Sequence, residues 1–131
     1  MRRGLAYLPT LGWAAVLLWA GGQSDLPTAP VPMFDKVSHF LAYGVLGISA
    51  GLGWRRAGRW PRRAWLVAFA LSVAALDEIH QTGVAQRTGD FNDWIADAAG
   101  FTLALLITTH YGARASGRGR ARRHRYPGTN E

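Results

Sequence analysis

Four apolar runs, each close to the length needed to cross a membrane, alternate along this chain with short charged segments. They cover residues 5–22, 37–54, 64–81 and 93–111. A hydrocarbon core of roughly 30 Å takes about 20 helical residues to cross. The first run contains Pro9, which a membrane helix tolerates where neighbours satisfy the freed carbonyl. A Pro-rich stretch, residues 26–32, follows it and is too stiff and donor-poor for a helix interior. The second run repeats small residues at helical spacing (Gly44, Gly47, Ala50, Gly51), so a partner helix can approach closely. A soluble bundle would need a polar stripe on every helix, yet between Trp65 and Leu76 the third run offers only Ser72. The pattern predicts an all-α fold, an integral membrane bundle of four transmembrane helices.

Charge then orients the bundle. Thirteen of the fifteen Lys and Arg residues fall at the N-terminus, between residues 55 and 63, or in the tail from Arg114 to Arg125. Only Lys36 and Arg87 lie on the other side, with Asp25, Asp35, Asp77, Glu78, Asp90, Asp93 and Asp97. The positive-inside rule puts both termini in the cytoplasm and the acids outside. A net charge of +7 and a pI near 11.0 would suggest nucleic-acid binding in a soluble protein. Here the arginines occupy short loops beside apolar runs, so no nucleic-acid partner is expected. The absence of Cys excludes disulfides, zinc–thiolate sites and thiol nucleophiles. The basic, apolar N-terminus resembles a secretory signal, but residues 21–24 make a poor cleavage site, and an uncleaved span is expected. Residues 1–113 are expected to form the membrane domain. Residues 114–131 should be a basic, disordered cytoplasmic tail on anionic headgroups.

The candidate chemistry collects at the outer boundary in three clusters. Asp35, His39 and Tyr43 share one face at i, i+4, i+8, with Lys36 beside them. Asp77, Glu78, His80 and Gln81 end the third run. Arg87, Asp90, Asp93 and Asp97 open the fourth, the three aspartates on one face. Asp35 or Asp90 also suits a helix N-cap, and Asp93 the first turn of a helix. Asp77 and Glu78 are less easily explained, because a helix C-terminus disfavours anions and an acid at midspan costs about 2.5–3.5 kcal/mol. His80, Lys36, Arg87 or a bound cation would offset them. The cluster can share protons, hold a divalent cation, with His39, Asp77, Glu78 and His80 as candidate ligands, or bind a cationic group.

These residues resemble the VanZ-like family, small integral membrane proteins named for a protein linked to teicoplanin resistance. The resemblance rests on Asp35-Lys36, His39 and Tyr43, then Asp77-Glu78-Ile79-His80-Gln81, then Arg87-Thr88-Gly89-Asp90-Phe91-Asn92-Asp93-Trp94, and Gly100. It spans residues 35–106. One departure is Asp97, where the family pattern has Asn. The resemblance implies a bacterial cytoplasmic-membrane protein with a cell-envelope role, and a link to glycopeptide resistance as an expectation. Two classes stay open. One is a binder or conduit whose outer site handles a cell-wall precursor or lipid headgroup. The other is a membrane hydrolase or transferase, with or without a metal, acting on a lipid-linked phosphate or sugar. No strict metal motif, Ser nucleophile signature or phosphate-cradling Gly loop decides between them.

Overall fold

A computed structural model describes residues 3–23, 32–59, 61–84 and 90–125, with 32–33 and 112–125 as backbone only. Within these residues the chain is all helix and turn. A short 3-10 helix (Arg3–Tyr7) leads into α1 (Leu8–Gly21), and α2 (Pro32–Arg56), α3 (Arg63–Thr82) and α4 (Phe91–Arg125) follow. The Pro-rich stretch up to residue 31, Arg87 and residues 126–131 lie outside the described residues.

The first apolar run divides at Tyr7 because Pro9 falls in the first turn of α1. A helix leaves its first N–H groups unbonded there, so the missing donor of Pro9 does no harm. Asp35 sits inside the first turn of α2 and is not its cap. The helical backbone of α4 runs on to Arg125, through the stretch expected to be disordered from Arg114. Alanine and arginine are good helix formers and extend it, despite the three glycines at 112, 117 and 119.

The helices run up, down, up and down in the ring order α1–α2–α4–α3. Within the described residues α2 and α3 barely meet, and α1 and α4 do not. The parallel pair α2 and α4 makes by far the most extensive contact. Its glycines explain this closeness. A Cβ on Gly47 would strike the Phe101 carbonyl oxygen, one on Gly100 the Phe40 carbonyl, and one on Gly51 would lie 2.8 Å from Thr108 Cβ. With no side chain between them the two backbones touch. Tyr43, Leu46, Ala50, Phe101 and Leu105 fill the seam. Gly53 lets the 3-10 helix settle on α2 against Ala6 and Tyr7.

At the α2–α3 turn Gly58, with φ +70°, closes α2. Arg59 N–H donates to Trp54 O at 2.8 Å and Gly58 N–H to Arg55 O at 3.3 Å, the paired bonds of a glycine-ended helix.

All four helices turn large apolar side chains outward, among them Trp19, Phe34, Leu41, Trp65, Ile79, Phe91 and Ile107. Two stretches, Arg3–Gly21 and Phe34–Arg56, are long and apolar enough to cross a membrane. α3 and α4 fall short on that measure, since Asp77 and Glu78 interrupt one and Asp93 and Asp97 the other.

Candidate functional site

The alternating directions bring the start of α2, the end of α3 and the start of α4 to one end of the bundle, beside the end of α1. The candidate cluster assembles there. Asp90 caps α4: its Oδ1 accepts from the Asn92 N–H at 2.9 Å. Its Oδ2 accepts from Lys36 Nζ at 2.8 Å, and the same ammonium donates to Asp93 Oδ1 at 2.9 Å. One lysine on α2 thus holds two acids of α4. The Lys36 ammonium and the Asn92 N–H keep the Asp90 carboxyl below the usual carboxylate range.

One turn deeper, His39 Nδ1 lies 3.0 Å from Asp97 Oδ1. Asp97 is 0% exposed and Tyr43 1%. From α3, Glu78 Oε2 accepts the backbone N–H of Asp90 at 2.8 Å, so its carboxylate joins the end of α3 to the start of α4. Glu78 Oε1, Asp97 Oδ2 and Tyr43 Oη are buried and make no hydrogen bond among the described residues. Ligand atoms of His39, Glu78 and Asp97 all fall within 4.8 Å of one another, as do those of Asp35, His39 and Asp93.

The structure divides the remaining candidates. Asp77 and Gln81 are buried, and Asp77 presses on Gly21 of α1. His80 is exposed and lies beside Gly22. Asp35 stands exposed at the rim. So of the four residues considered as metal ligands, His39 and Glu78 belong to a cluster of ligand spacing, whereas Asp77 and His80 belong to neither such group among the described residues.

Sequence reasoning missed a cleft of about 390 Å³ between α3 and α4, lined by Ala75, Ile79, Thr82, Phe91 and Trp94 with Glu78 and Asp90. Its aromatic wall was signalled by Phe91 and Trp94, three residues apart, whose rings stack at 5.5 Å. Trp94 Nε1 donates to Leu71 O at 3.3 Å, which fixes the indole against α3.

This arrangement joins residues 36 to 97 into one polar end, and a family profile covers the whole of it: residues 5–111 match VanZ/LLP1. The chain belongs to that family. The VanZ/LLP1 match extends past the resemblance seen in residues 35–106 and takes in α1. No curated protein and no solved structure matches the chain.

Proposed function

We propose that this VanZ/LLP1 protein crosses the bacterial cytoplasmic membrane four times, with both termini inside, and binds a cell-envelope component at its outer end. The observation that carries this is an inversion of polarity. Asp77, Gln81, Asp93 and Asp97 are buried while Trp19, Phe34, Trp65 and Ile79 face outward. A protein in water hides its apolar side chains, and one in lipid has no reason to. The cleft beside Glu78 joins an apolar wall to an acidic end, which suits an amphiphilic envelope component whose head is cationic or carries a bound cation. The positive-inside pattern supports α3 and α4 as spans despite their acids, because these are drawn into the bundle.

Reporter fusions after Trp60 and after Thr88 test the topology and should give opposite signals. Equal signals end the four-span reading. Expression in a susceptible host, with teicoplanin tolerance and envelope stress as readouts, tests the function. The parent should change these phenotypes, and Glu78→Gln, though normally inserted, should not. An active Glu78→Gln variant removes Glu78 from the site.

The enzyme reading is favoured by one observation, the His39–Asp97 pair at 3.0 Å. A carboxylate holding one imidazole nitrogen orients the ring for proton transfer at the other. Turnover of a lipid-linked phosphate or sugar by purified protein, abolished in His39→Gln, separates it from simple binding.

A further inference from the structure

Asp97 is an unusual residue to bury. Its Oδ1 meets His39, but its Oδ2 has no hydrogen-bond partner among the described residues, and no part of the residue reaches solvent. Glu78 repeats the pattern, with Oε2 on the Asp90 amide and Oε1 unmet. Lys36 does not neutralise this pair, because its ammonium is engaged by Asp90 and Asp93. Two carboxylates therefore face one imidazole in a water-poor interior, where unpaired charge is strongly disfavoured. Protonating His39 would supply a single positive charge against two negative ones.

We infer that His39, Glu78 and Asp97 form a binding site for a divalent transition cation. Two carboxylates and a neutral imidazole balance a dication. Their ligand atoms, within 4.8 Å of one another, are close enough to share one ion. One nitrogen and two oxygen donors match Zn²⁺ or Mn²⁺. Ca²⁺ takes six to eight oxygens, and Mg²⁺ keeps most of its water. The three ligands come from α2, α3 and α4, so the ion would tie the ring of helices together. Three protein ligands also leave coordination positions open. Glu78 lines the cleft, so that side is where an oxygen ligand would arrive. The outer group of Asp35, His39 and Asp93 is the poorer site, because Lys36 already donates to Asp93 and Asp35 is exposed. The inference deepens the reading of this cluster as a binding site and rests on it.

The test uses full-length protein purified in detergent, stripped with chelator and titrated with Zn²⁺ and with Mn²⁺. One ion per chain is expected, with a rise in melting temperature on loading. Without metal, Glu78→Gln should melt near the parent and Asp97→Asn at or somewhat above it, both being near in shape to the parent. Both should lose about 100-fold or more in affinity and show no metal-induced rise. Asp35→Asn should bind like the parent. Absence of stoichiometric binding overturns the inference, as does parental affinity in both Asp97→Asn and Glu78→Gln. Loss confined to Asp35→Asn moves the ion to the rim and overturns it too. Should the parent bind no metal while Glu78→Gln still loses the envelope phenotype, the ion falls and the proposed function stands. A metal that binds as expected in a chain with no envelope phenotype leaves the ion site and removes the proposed function.

Discussion

The two ends of this bundle carry opposite charge, and they treat it in opposite ways. At the α2–α3 turn all five arginines are exposed, and Arg59 and Arg63 lie 5.8 and 5.3 Å from the centre of the Trp54 ring. Trp54 Nε1 donates to Pro61 O at 2.9 Å, so a rigid indole is what the guanidinium groups rest on. At the other end Asp77, Asp93 and Asp97 are buried. Solvated arginines bear on orientation and cost the fold little. Buried carboxylates need compensation from a lysine, a helix amide or a ligand. The basic end is therefore read as an anchor and the acidic end as a site.

The largest test of this contrast compares one glycine from each end. Gly100→Ala drives a Cβ into the Phe40 backbone beneath the acidic site. It should destabilise the detergent-solubilised protein by about 3 kcal/mol, since neither backbone can move freely. Gly58→Ala at the basic turn meets no neighbour but takes a positive φ, and should cost about 1–2 kcal/mol. Equal losses in chemical unfolding would deny that the acidic end depends on the tight α2–α4 seam.

Removing a cation from each end comes next. Lys36→Met leaves the buried Asp93 without its ammonium and should destabilise the protein clearly more than loss of an exposed arginine does. Arg59→Ala should cost about 0.5–1 kcal/mol, the range of an exposed cation–π contact. Similar values for the two would remove the distinction between anchor and site.

Asp97→Asn should go the other way in apo protein. It keeps the shape and a contact to His39 while deleting a fully buried charge, and a gain of about 1 kcal/mol is expected. A loss larger than that would make Asp97 a structural residue.

The smallest effect concerns acid. The folded-state pKa of Asp90 is depressed, chiefly by Lys36. Its contribution is thus present above the ordinary carboxylate range, about 4, and disappears as pH falls through the lowered value. Melts of the parent and Asp90→Asn should differ at pH 7 and converge in stronger acid. A constant gap down to pH 3 would mean that ionised Asp90 adds nothing.

Much of the architecture was legible because helical spacing and charge alternation are local signals. Asp90 acts as the N-cap that its position suggested, and Gly44, Gly47 and Gly51 mark the face that meets α4. The inner site was legible only as a set of candidates. Asp77 and Glu78 stand about 100° apart around α3, so they face different neighbours. Which of them meets α4 depends on the rotation of α3 about its axis, and packing on α1 and α4 sets that. The same rotation turns His80 toward α1. Lys36 reaches residues 54 and 57 positions away, a pairing that no local spacing encodes. The helical continuation of α4 ran against the composition of the tail, where glycine and charge suggested disorder.

The ring order has one more consequence, which concerns the shape of the field at the acidic end. α2 and α4 begin there and are neighbours, while α1 and α3 finish there and are neighbours. Peptide dipoles therefore add partial positive charge on the side where Asp90, Asp93 and Asp97 stand, and partial negative charge on the side of Asp77 and Glu78. The backbone offsets the acids of one side and reinforces those of the other. A cationic group arriving from the surface would be turned toward α1 and α3 before it touches a side chain.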